Sequence, residues 1–149
     1  MTDKVGVVRP AHCTALGKIL IAHLERSMLD RFISSSKLRR YTANTIVRRE
    51  ALLRELDEVC RTGIAIDDGE FDAEGRCVAA PVRDFTGRVM GAIGISGPIW
   101  RLSPSAVRVK SQRVRQAADS LSREFGYAED RAKRASRSPN QRRSTNAGH

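Results

Sequence analysis

The chain has few cysteines, no C-x-x-C pair and no long apolar run, and each shortage closes a class of function. Cys13, Cys60 and Cys77 are the 3 cysteines in 149 residues, an odd number at wide spacing, which argues against a disulfide framework and against a structural zinc site. They read as reduced thiols. No stretch approaches the roughly 20 apolar residues of a membrane span, and the opening MTDKVGVVRP lacks the apolar core of a secretory signal. The expectation is a cytoplasmic protein with no membrane partner. No internal repeat is visible, which sets solenoid architectures aside. Nucleotide chemistry also lacks its motif. Residues 12–18 read HCTALGK, whereas a phosphate loop needs a glycine where His12 stands and a hydroxyl where Ile19 stands.

Positive charge is abundant. The chain carries 27 Lys and Arg against 17 Asp and Glu, a formal charge of +10. From Ala128 onward six basic residues face only Glu129 and Asp130, so this tail holds +4 of the excess. It has no periodic apolar residues and cannot bury enough surface to offset its ordering entropy. A solvated, disordered tail over 128–149 is the plain reading; the alternative is a weak contact arm for a nucleic-acid backbone, carried by the arginines from Arg131 to Arg143. The remaining length suits one domain with a real core.

The order of elements points to an α+β fold, a mostly antiparallel sheet flanked by helices. Val5, Val7 and Val8 suggest a short extended entry that Pro10 stops. Leu16, Ile19, Leu20 and Leu24 recur at helical spacing after Thr14, a plausible N-cap. Ser27 and Asp30 mark a second, short helix ended by Ser34–Ser36. The segment REALLRELDEVCRTG puts Leu52, Leu53, Leu56, Val59 and Cys60 on one stripe, with Gly63 placed to stop the helix. Strands are expected at 64–67, 76–83 and 88–96, the last two forming a hairpin across Asp84–Gly87. Ser103 and Pro104 then open a long helix whose face carries Val107, Val114, Ala117, Ala118, Leu121 and Phe125, with Gly126 closing it.

If Arg83 pairs with Arg88, Cys77 lies opposite Gly94 and Gly75 opposite Ser96, and the four share one face of the sheet. Pro81 would oppose Met90 and cannot donate to the ladder, which implies an edge or a bulge there. Gly91 and Gly94 leave room for something to approach the backbone, or simply for a helix to pack. A helix starting near Thr14 exposes the N–H groups of Ala15 and Leu16, which is the physics of a small-anion site. Asp67 and Asp68 are either paired carboxylates for acid–base work or solvated loop acids. Cys13 beside His12 is either an activated thiol or an inert one, because adjacent residues rarely face each other. Cys77 is a small buried hydrophobe or a ligand contact. Trp100 covers a pocket mouth, anchors an interface, or is a half-buried loop aromatic.

Taken in order, PAHCTALGKILIAHL and LRRYTANTIVRREALLRELDEVCRTGIAIDDGEFDAEGRCVAAPVRDFTGRVMGAIGISGP resemble the effector-binding domain of IclR-family bacterial transcription regulators. The motifs are Gly-Lys in the first helix, T-x-N-T-I, L-x-E-L, G-x-A-x-D-D-x-E and the A-A-P-V-R-D…I-S-G-P hairpin. The resemblance runs from about Val5 to Tyr127 and implies a GAF-like domain over 1–127 that is not an enzyme and uses no cofactor or metal. Its implied partner is a small carboxylate effector, a keto acid or an aromatic acid. The implied lining is the N–H groups of Ala15 and Leu16 for the carboxylate, with Asp67, Cys77, Gly94 and Ser96 around it. Family strands often read I-S-I-S-G-P, so Gly94 is expected to remove one hydroxyl and widen the pocket. The resemblance further implies a homo-oligomer, dimer or tetramer. Family members usually begin with a winged helix-turn-helix; none precedes this domain from Met1, so DNA contact is expected only indirectly or through the tail.

Overall fold

Thr14 sets the first helix. Its backbone is extended (φ −125°, ψ 144°), its Oγ1 accepts from the Gly17 N–H at 3.3 Å, and the hydroxyl donates to Pro10 O at 2.9 Å. One orphan donor of the first turn is thereby satisfied. In this computed structural model, which describes residues 6–128, helix α1 spans Ala15–Ala22 behind a single 3-10 turn at Ala11–Cys13. Helix α2 spans Arg26–Ser35 and α3 spans Arg49–Thr62. Gly63 ends α3 in the left-handed region at φ 67°, a conformation that costs glycine nothing. The basic tail lies outside the described residues, apart from Ala128.

Three strands follow: β1 at Ala65–Asp68, β2 at Gly75–Arg83 and β3 at Val89–Pro98, antiparallel in the order β1-β2-β3. Helix α4, Pro104–Glu124, closes the fold, with Ser103 accepting from the Ala106 N–H as its cap. Even-numbered β2 residues Val78, Ala80 and Val82 pack against Val107, Val114 and Ala118 of α4. Odd-numbered Ala79 packs against Ala15, Ile19 and Val59 of α1 and α3. A third cluster ties α1, α2 and α3 through Ile21, Leu29, Ile33, Leu52 and Leu56. The sheet is therefore covered by helix on both faces, while the outer edge of β3 stays open over Gly94–Ser96.

Several expectations change. Gly6–Pro10 forms no strand, and Gly6 turns at φ 88°. Ser27 lies inside α2, with Glu25 in the cap position and no side-chain bond there. Leu16 and Leu20 face outward; the stripe that α1 buries is Ala15, Lys18, Ile19 and Ile21. Ala117, Leu121 and Phe125 of α4 are exposed, and Ser122 is buried in their place. The hairpin register is two residues away from the expected one: Cys77 faces Ser96, and Ala79 faces Gly94. The shift has two parts: Arg83 pairs with Val89 rather than Arg88, which moves the register by one, and a bulge that leaves Met90 over before Val82 pairs with Gly91 moves it by one more. Beyond the bulge the slip is even, so Cys77, Gly94 and Ser96 keep their expected face, whereas Val89, before it, moves to the α1 face. Pro81 lies beyond the last β1 partner, Ala79. Two residues on, the Arg83 N–H on that side donates to Ser122 Oγ at 2.9 Å, so no strand requires the donor that Pro81 lacks.

Candidate functional site

Asp67, Cys77 and Ser96 are successive cross-strand partners on β1, β2 and β3. They form one polar row across the face that carries α1. The Cys77 thiol donates to Ser96 Oγ at 3.2 Å. Ala15, in the first turn of α1, packs in the same cluster as Cys77, Ala79 and Ala92, which brings the helix start to this row. Within that turn the Gly17 N–H is held by Thr14 Oγ1 and the Lys18 N–H by Thr14 O. The two amides ahead of them, on Ala15 and Leu16, have no acceptor within the helix by its geometry. Ser96 is exposed, Cys77 half-buried and Asp67 buried, so the row runs from an open rim to a closed end.

Gly94 belongs to this face through its pairing with Ala79, but it does not open space. A Cβ there would collide with Val78 O and stand 3.2 Å from both Ala79 Cα and Cβ. The strands approach too closely for a serine without a backbone shift. The expected widening by a missing hydroxyl is corrected accordingly: the glycine is required by strand spacing.

At the closed end Asp67 Oδ1 accepts from the Glu70 N–H at 2.8 Å, which stabilises the turn after β1. Burial pushes its carboxyl above the usual range, opposed by these backbone bonds and by Lys18. Asp68, one residue on, points to the other face and pairs with Arg76, so the two aspartates do not form a carboxylate pair. Lys18 is fully buried, with Nζ at 2.9 Å from Glu55 Oε1, 2.5 Å from Glu70 Oε1 and 2.9 Å from Ile66 O. All three ammonium donors are used. Glu70 Oε2 is buried with no hydrogen-bond partner among the described residues, and burial raises the Glu70 carboxyl despite Lys18.

Thr45 joins this end to the preceding loop. Its hydroxyl donates to Glu70 O at 2.6 Å and accepts from the N–H groups of Tyr41 and Thr42. Thr42 Oγ1 donates to Gly69 O, and Asn44 Nδ2 to Asp68 O. The T-x-N-T motif therefore fastens the β1–β2 turn that positions Asp67. Sequence reading quoted this motif and the Gly-Lys pair without assigning them work. The available signal was Lys18 standing between Ala15, Ile19 and Ile21 on the buried side of α1.

Cys13 is buried, and its thiol is pushed up to about 12 by burial, with Asp67 and Glu70 adding to the effect. It cannot supply a thiolate near neutral pH, and neighbouring His12 instead bonds Arg39 O through Nε2 at 3.0 Å. Trp100 is 78% exposed and covers nothing among the described residues. Also among the described residues, no group of His, Cys, Asp or Glu could hold a metal ion, and no helix is long and apolar enough to cross a membrane.

Residues 1–123 match the family profile described as bacterial transcriptional regulator IclR C-terminal. The chain is 35% identical over 117 residues to the HTH-type transcriptional regulator BhcR of Paracoccus denitrificans, covering 78% of this chain and 41% of that protein. It superposes on the repressor BlcR of Agobacterium tumefaciens with a TM-score of 0.79 at 29% identity, over 86% of this chain and 51% of that one. It also matches the inducer-binding domain of the PobR transcription factor from Acinetobacter, a double mutant solved with 3-hydroxybenzoic acid, with a TM-score of 0.72 at 26% identity over 76% and 66%. The chain spans about half the length of the curated relatives it matches.

Proposed function

Because the chain belongs to the IclR family of bacterial transcriptional regulators and corresponds to its C-terminal domain, we propose that it binds a small organic acid, a keto acid or an aromatic carboxylate, and so controls transcription. The observation that carries this reading is the Asp67–Cys77–Ser96 row beside the start of α1. In it the ligand carboxylate accepts from the Ala15 and Leu16 N–H groups, where the helix dipole favours negative charge. Ser96 and Cys77 face the body of the ligand, Gly94 contributes only backbone, and Asp67 takes a ligand hydroxyl or enol at the closed end. The PobR domain supports the ligand class, since an aromatic hydroxy acid is bound there.

Signalling requires that the acid bind two states of an assembly with different affinity. Those states are a homo-oligomer, dimer or tetramer, and DNA contact is indirect or weak through the basic tail. An enzyme reading has no support: the relatives are transcriptional regulators, and the Cys13 thiol is buried and protonated.

Titration calorimetry with 3-hydroxybenzoate and pyruvate tests the site. Asp67→Asn keeps an oxygen for the Glu70 N–H while removing the charge, so it should fold and alter affinity. Unchanged affinity in both Asp67→Asn and Ser96→Ala would remove the assignment.

A further inference from the structure

A concavity lies at the end of β2 away from the Asp67–Cys77–Ser96 row. Strand β1 stops opposite Ala79, and beside Ala80–Arg83 the space is left as a cleft of about 560 Å³ between the end of α3 and the last turns of α4. That volume suits a small ligand. Four arginines line it: Arg61 from α3, Arg83 from β2, and Arg115 and Arg123 from α4, with Asp119 the one lining carboxylate. Arg61 is already held by Glu58. Among the described residues the other three donate only to neutral groups. Arg83 reaches Gly87 O at 3.0 Å and His23 Nε2 at 3.4 Å, Arg115 reaches Thr62 O at 2.7 Å, and Arg123 reaches Ser120 Oγ at 3.0 Å.

Among the described residues none of these three has a carboxylate within ion-pair distance, and Asp119, four residues from Arg115 and from Arg123, pairs with neither. A guanidinium carries five N–H donors, so each of the three keeps most of its fork for a ligand. Like charges held around one cleft repel unless an anion sits between them. Planar forks match the oxygens of phosphate groups in bidentate fashion. We propose that this cleft is a binding site for a small polyanion carrying two linked phosphate groups, separate from the organic-acid row and independent of that reading.

The test is calorimetry of the full chain with sodium pyrophosphate at fixed low ionic strength, beside citrate at equal concentration. Saturable pyrophosphate binding is expected, weakened about tenfold or more in the Arg115→Gln/Arg123→Gln double variant. Arg108→Gln/Arg113→Gln removes the same charge from α4 outside the cleft and should bind as the parent does. Asp119→Asn should tighten binding. Arg115 also tethers Thr62, so Arg123→Gln alone, which touches only its own helix, serves as the variant certain to leave the packing intact, and it should weaken binding several-fold. No saturation up to about 10 mM, equal losses in the two double variants, or tighter binding of citrate than pyrophosphate would each overturn the proposal.

Discussion

Gly17 and Gly94 are fixed by what lies against them. A Cβ on Gly17 would collide with Ala11 Cα and come within 2.6 Å of Ala11 O and Thr14 Oγ1. Gly17→Ala should therefore cost about 1–3 kcal/mol in a urea titration. Gly91→Ala, where nothing lies within 4 Å, should change stability by less than about 0.5 kcal/mol. An equal effect at the two positions would contradict the packing described for α1. Cys13 gives a second residue-level expectation: at mildly alkaline pH a thiol reagent should label Cys60 and Cys77 while leaving Cys13 untouched until the protein unfolds. The need for glycine at 17 was not legible in the sequence, because the close pass of the Ala11 turn is a distance that spacing along the chain does not carry. The Thr14 cap was legible, since a cap depends only on residues within one helical turn.

Helix α1 is held at both ends by polar contacts that its apolar spacing does not announce. Lys18→Met would leave Glu70 buried and uncompensated, a loss of about 3–5 kcal/mol, and adding Glu70→Gln should recover part of it. Full additivity of the two changes would contradict the direct contact. At the far end His23 Nδ1 lies 2.8 Å from Ile19 O, and Nε2 faces the Arg83 guanidinium. These contacts suit the neutral ring with its proton on Nδ1. Burial holds its pKa below the ordinary 6.5, with Arg83 adding to the effect against the bond to Ile19. A lowered folded value means that the unfolded chain binds the proton first as pH falls. The contribution is present above about pH 6.5 and lost as pH drops through the folded value. Denaturation at steps from about pH 7 to 5 should show that decline, and His23→Gln should flatten it. At this scale the helices and the three strands were readable from periodicity, whereas the buried faces of α1 and α4 were readable only in part. The hairpin register was not, because neither the start of pairing at Val89 nor the Met90 bulge leaves a mark in the residue types of the strand.

Across the whole molecule, three elements from distant parts of the sequence converge on one row: β1 brings Asp67, β2 brings Cys77 and β3 brings Ser96, beside the start of α1. Strand alternation already put Cys77 and Ser96 on one face, while motif order pointed to Asp67 and joined them to the start of α1. The supporting contacts of Lys18, Glu70 and Thr45 appear only once α3 and the 41–45 loop are folded against β1. The central claim is that this row recognises a small organic acid, and a thermal-shift comparison of the parent chain with Ser96→Ala tests it most directly. Ser96 is exposed on the edge strand, so losing the contact that its hydroxyl makes with the Cys77 thiol should lower the unliganded melting temperature only slightly. At 100 times its dissociation constant a bound keto acid or hydroxybenzoate should stabilise the parent by about 2.7 kcal/mol, several degrees for a domain of this size. The account predicts such a shift, reduced in Ser96→Ala. No shift with either class of acid in a folded sample, or an equal shift in the two proteins, would contradict it.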